Sequence, residues 1–223
     1  MRAALIKKAF FRFFTGIILT ALLLFLPAGS LDYWNAWLFL AVLFIPMTIT
    51  GIYLMIKNPG LLEKRLEVRE TEKSQKQVVA MAAIMFVLAF VVAGINYRLQ
   101  RFNVPAPVVY AASILFLLFY LLYEEVLREN EFLSRSVEIQ EGQKVVDTGL
   151  YGIVRHPMYA VTMVLFLAMP WILGSPVSFI IMLAYIPIIV KRIRNEEEVL
   201  AEGLEGYKEY MAKVRYRLIP CIW

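Results

Sequence analysis

Apolar residues run in long blocks along this chain, and polar residues gather between the blocks. Residues 13–28, 34–56, 78–97 and 107–127 are almost free of charge. At 1.5 Å of rise per residue, helices of such lengths match a hydrocarbon core of about 30 Å, the first with help from its aromatic flank. A fifth block, residues 158–190, is interrupted at Gly174-Ser-Pro176. This predicts a tight turn between two helices of about 15 residues each. Each half is short for a crossing, so both a full hairpin and a partly re-entrant one fit, and Pro170 and Pro187 predict local kinks. The expected fold is all-α: a polytopic membrane protein of five or six transmembrane helices with a C-terminal helical hairpin.

Composition agrees, since 61% of the 223 residues are hydrophobic, above the range of soluble domains. A single domain over 1–223 is expected, with a four-helix membrane part (1–127) and a polar, site-bearing part (128–223). The net charge of +5 is better read through the positions of the cations than as a sign of nucleic-acid binding. With the N-terminus inside, every one of the 23 Lys and Arg residues except Arg98 and Arg101 falls on the cytoplasmic side. Both termini are therefore expected in the cytoplasm. The first 30 residues also resemble a signal peptide, but Asp32 and Trp34 lead straight into another span, which argues against cleavage. One Cys and one His argue against disulfides and metal centres.

Three polar stretches remain. Residues 57–77 open with Asn58-Pro-Gly60 and become densely charged, which predicts an interfacial helix and a solvated connector. Residues 128–154 contain Gly142 and Gly149 and can fold over a ligand at the membrane face. Residues 192–217, with Val199, Leu200, Leu204, Tyr207 and Tyr210 at helical spacing, predict an amphipathic helix or helix pair.

The chemistry concentrates in Gly149-Leu-Tyr-Gly-Ile-Val-Arg-His-Pro-Met-Tyr159 and in Asn195-Glu-Glu-Glu198. If the hairpin enters the membrane and returns, these two polar groups meet at one surface. The residues alone allow plainer readings. His156 beside Pro157 fits a helix cap, Tyr151 and Tyr159 an interfacial aromatic belt, and Arg192 with Glu196 a surface ion pair. Arg155 fits either headgroup anchoring or work in a site.

Taken in order, residues 143–159, then Glu196-Glu-x-x-Leu200, Tyr207-x-x-Tyr210 and Arg217-Leu-Ile-Pro220 resemble the isoprenylcysteine carboxyl methyltransferase family and its prokaryotic relatives. The resemblance is detailed over residues 128–220. It implies S-adenosyl-L-methionine as cofactor, bound in a cytoplasmic pocket within the membrane fold. It also implies methylation of a lipophilic acceptor that enters from the bilayer, at a carboxylate in the leading reading. The implied cofactor residues are Gln140, Gln143, Lys144, Val145, Val146, Tyr151, His156, Pro157, Met158, Tyr159 and Glu196, with Glu197 as the alternative register. Arg192, and more distantly Arg128, correspond to arginines associated with the acceptor. The residue types suit the ligand: His156 can donate, Glu196 can pair with an amine, and the tyrosines offer polar tips and cation-binding faces. Phospholipid N-methylation and an NADPH-dependent, sterol-type reduction remain as alternatives. The implied partners are the acceptor and membrane lipids, and the implied location is the inner membrane of a prokaryote.

Overall fold

A computed structural model describes residues 2–66, 73–134, 137 and 139–223. The described residues are helical and irregular, without strands. Five helices are long and apolar enough to cross a membrane: α1 (Arg2–Ala28), α2 (Trp34–Lys57), α4 (Lys73–Leu99), α5 (Ala106–Glu129) and the combined stretch of α7 (Pro176–Met182) and α8 (Tyr185–Gly203). Between them lie α3 (Pro59–Leu66) and the shorter apolar α6 (Pro157–Ile172), and α9 (Tyr207–Lys213) follows α8. The expected all-α membrane architecture is thus present.

Helix α1 starts at Arg2 instead of near Phe13. Its first turns carry residue types that are good helix formers, so the helix extends ahead of the apolar block. Phe10, Phe11, Phe14, Ile18, Leu22 and Leu26 of this helix are exposed, as a lipid-facing surface requires. Against α4 the contact is close: a Cβ on Gly94 would lie 2.5 Å from the Leu24 carbonyl oxygen. Only a residue without a side chain permits that crossing.

The 158–190 block forms a hairpin that reaches the far end of the bundle. Its turn is held there by the starts and ends of other helices. Tyr33 Oη donates to the Leu173 carbonyl at 2.5 Å, Asn35 Nδ2 to Ile172 O at 2.9 Å, and Asn96 Nδ2 to Gly174 O at 3.2 Å. Ser175 caps α7 by accepting from the Ser178 N–H, with Pro176 at the first helical position. Pro187 explains the break between α7 and α8. Having no N–H, it leaves the Leu183 carbonyl without its helical partner, and Ile186 N–H takes up that oxygen in a tighter turn at 3.1 Å.

Beyond the apolar segment α8 continues without interruption to Gly203, so residues 192–203 extend the hairpin's second helix, and α9 is the second helix of the amphipathic stretch. No proline or glycine intervenes between Pro187 and Gly203. One rigid rod therefore joins the membrane part to the polar end.

The helix expected after Asn58 is α3. Asn58 Oδ1 accepts from the Leu61 N–H at 3.1 Å and Pro59 opens the helix. The charged connector at 67–72 lies outside the described residues. At the same end of the bundle, three carboxylates fix the irregular segments. Glu129 accepts the Leu150 N–H through both oxygens, at 3.1 and 2.9 Å, Asp147 pairs with Lys213 at 2.6 Å, and Glu197 ties α8 to the C-terminal segment.

Candidate functional site

The polar end of the bundle encloses a cavity of about 250 Å³. Its walls come from α3, the segment after α5, the 143–146 stretch, the 3₁₀ turn Gly149–Gly152, α6, α8 and α9. Residues far apart in sequence converge because α6 and α8 are antiparallel arms of one hairpin whose polar ends return to the same level.

Their meeting point is Tyr159, on the first turn of α6. Its hydroxyl donates to Glu196 Oε2 at 2.5 Å and accepts from Arg192 Nε at 2.8 Å, both on α8 and one helical turn apart. Gln75 of α4, only 1% exposed, braces the same arginine from the other side: Arg192 Nη1 donates to Gln75 Oε1 and Gln75 Nε2 to the Arg192 carbonyl, both at 3.4 Å.

Neighbouring Glu197 does something else. It is 4% exposed, and its Oε1 accepts from Arg155 Nε at 2.7 Å and faces His156 Nε2 at 3.2 Å, while its Oε2 accepts from Arg217 Nε at 2.7 Å. Arg155 also donates to the carbonyls of Val214 and Arg215, and the N–H groups of Arg155 and His156 donate to Tyr216 O and Arg217 O. The C-terminal strap is thereby bound to the start of α6. His156 occupies the cap position of α6, yet its side chain does not cap. With Nε2 turned to Glu197, Nδ1 is the ring nitrogen left for other contacts.

Above this, α9 closes the roof. Tyr210 Oη donates to the Tyr151 carbonyl at 2.8 Å, and Leu204, Tyr207, Tyr210 and Val214 form a small core with Val145 and Leu200 against it. Burial, most of all, pushes the Tyr151 phenol well above its ordinary range, with Glu196 adding to the shift and Asn130 opposing it. Among the described residues no hydrogen bond of good geometry satisfies the buried Tyr151 hydroxyl.

The geometry sorts the residues singled out from sequence. Gln143, Lys144, Val145, Val146, Tyr151, His156, Met158, Tyr159, Arg192 and Glu196 all line the cavity. Pro157 does not; it starts α6. Gln140 shapes the approach: its N–H donates to Gln143 Oε1 at 2.9 Å, and Gln143 N–H returns to Gln140 O at 3.1 Å across Gly142. Arg128 stands apart from the cavity, two-thirds exposed and paired with Glu125 one turn back along α5. Several lining residues escape sequence reasoning. Arg65 sat in a charged stretch that reads as solvated, and Asn130, Thr162 and Tyr185 carry no motif.

Fold and cavity define a polytopic helical membrane protein with a composite polar site at one end of its bundle. Residues 108–202, from α5 to the end of α8, match the model of the isoprenylcysteine carboxyl methyltransferase family. A Delta(14)-sterol reductase of Mus musculus is 29% identical over 91 residues, a match covering 40% of this chain and 22% of the reductase. The chain therefore corresponds to less than a quarter of that relative's length.

Proposed function

We propose that this protein transfers a methyl group from S-adenosylmethionine to the carboxylate of a lipophilic acceptor at the cytoplasmic membrane face. The observation that carries the proposal is the bridge through Tyr159, which brings Glu196 and Arg192 into the wall of one cavity within the segment that matches the methyltransferase family. The donor set fits the cofactor. Glu196 suits its amine, the unpartnered hydroxyl of Tyr151 and His156 Nδ1 suit its polar edges, and the aromatic faces of Tyr151, Tyr159 and Tyr207 suit its ring and its cation.

Bound S-adenosylmethionine supplies a methyl on a sulfonium: an acceptor oxygen forms the new bond to carbon as the bond to sulfur breaks, leaving a neutral thioether. The protein contributes alignment and dryness. A carboxylate is ionised near neutral pH and needs no general base. Arg192, braced by Tyr159 and Gln75, orients it, while α9 and residues 143–146 keep bulk water from the cavity. The apolar tail of the acceptor lies among α2, α5 and α6. On this reading the location is a prokaryotic inner membrane, with both termini in the cytoplasm.

The sterol reductase relative favours a second reading, reduction of a lipid by NADPH. Calorimetry on detergent-purified protein separates the two. Binding of S-adenosylmethionine and S-adenosylhomocysteine without NADPH binding is expected; NADPH binding with no response to either sulfur ligand would overturn the methyltransferase reading.

A further inference from the structure

Arg65 is a half-buried cation that lines the cavity, and it has no acidic partner among the described residues. It projects from the last turn of α3. Its Nη2 donates to Tyr123 Oη of α5 at 2.6 Å, and its guanidinium lies 5.7 Å from the centre of the same ring. Both contacts hold the side chain, but neither neutralises it. Glu124, next along α5, turns to Thr50, whose hydroxyl donates to Glu124 Oε1 at 2.5 Å. Among the described residues no carboxylate forms an ion pair with Arg65. A partly desolvated guanidinium held by a neutral hydroxyl is costly unless a countercharge meets it.

The rest of the wall sharpens this. Arg65, Lys144, Arg155 and Arg192 line the cavity, and Glu196 is the one carboxylate among the described lining residues. Arg155 is matched by Glu197. A methyl donor with a net positive charge would add to the charge of Arg65 and Lys144, so a second, anionic ligand is favoured there and a cationic one opposed.

We propose that Arg65, positioned by Tyr123, binds the anionic head of the acceptor together with Arg192 and makes the site select acids over amines. This rests on the methyltransferase reading. Arg65 and Arg192 stand on different elements, so the head is held from two sides and its rotation is restricted, which a single guanidinium does not achieve. Arg128, the other arginine near the end of α5, is committed to Glu125 on the outer surface.

The test uses full-length protein in non-ionic detergent near neutral pH, with palmitate and hexadecylamine as probes, each titrated with and without saturating S-adenosylhomocysteine. The parent is expected to bind palmitate and to discriminate against the amine. Arg65→Ala should weaken palmitate at least about tenfold while changing S-adenosylhomocysteine affinity less than about twofold. Arg65→Lys should fall between, and Tyr123→Phe should weaken palmitate with Arg65 still in place. Lys64→Ala removes the same charge from the same helix, but Lys64 points to the Glu131 carbonyl outside the cavity, and it should leave palmitate binding unchanged. Melting temperatures establish that each variant is folded. Equal palmitate affinity in parent and Arg65→Ala, equal loss in Lys64→Ala, absence of palmitate binding by the parent, or equal binding of the amine would overturn the inference. Failure of S-adenosylhomocysteine to bind the parent would instead overturn the methyltransferase reading, whatever palmitate does.

Discussion

Glu196 and Glu197, adjacent on α8, face different worlds: Glu196 takes the Tyr159 hydroxyl at the cavity wall, and Glu197 is buried between Arg155, His156 and Arg217. Successive helical positions differ by about 100°, so neighbours in sequence need not share a surface. Glu196→Gln should therefore leave the melting temperature near that of the parent and weaken S-adenosylhomocysteine binding. Glu197→Gln strips the countercharge from a buried cluster and should cost about 3 kcal/mol of stability, read as a large fall in melting temperature. If the two variants behave alike, the division of labour is wrong.

Tyr159 joins the two arms of the hairpin through one oxygen. Tyr159→Phe keeps the ring and removes that link, leaving a carboxylate and a guanidinium to find other partners. A loss of about 1 to 3 kcal/mol in S-adenosylhomocysteine binding is expected, measured by calorimetry on protein shown to be folded. Parent-like affinity would mean that the bridge does not shape the site.

Much of this architecture is legible in the sequence because the lipid solvent writes long apolar runs and the turn at Gly174-Ser-Pro176 has its own chemistry. The convergence of the Gly149–Tyr159 motif with Arg192 and Glu196 follows from that turn alone. What is not legible depends on side-chain direction. Arg65 and Arg128 both stand near helix ends at the polar end of the bundle, yet Arg65 lines the cavity, and Arg128 turns out to a glutamate three residues before it. Nor does the run of three glutamates reveal which one the strap will claim, since Arg217 arrives from twenty residues away. The solvated look of residues 57–77 hides Arg65 because charge density says nothing about the one side chain that points inward.

The turn that presents Tyr151 rests on a glycine. Gly149 has φ 54°, and a Cβ there would lie 1.8 Å from Glu129 Oε1, the carboxylate that accepts the Leu150 N–H. Gly149→Ala should cost about 1 to 3 kcal/mol from backbone strain alone, and more if Glu129 is displaced. Thermal unfolding checks the stability, and a weaker response to S-adenosylhomocysteine checks that Tyr151 has moved. An unchanged melting temperature would show that the turn accommodates the side chain.

The last prediction concerns which side of the membrane carries the cavity. Residues 144 and 208 lie at its end of the bundle, and Asn103, between α4 and α5, lies at the other. Among the described residues all Lys and Arg except Arg98 and Arg101 belong to segments at the cavity end, and cations near span ends are retained in the cytoplasm. Cys221 is exposed and is the chain's only thiol, so Cys221→Ser gives a background without thiols. On that background Asn103→Cys should react with a membrane-impermeant maleimide in intact cells, and Lys144→Cys and Lys208→Cys only after permeabilisation. Each of these sites is exposed, so a failure to react reports the barrier and not burial. Labelling of Lys144→Cys in intact cells would put the cavity outside, away from cytoplasmic S-adenosylmethionine, and the proposed reaction would lose its cofactor supply.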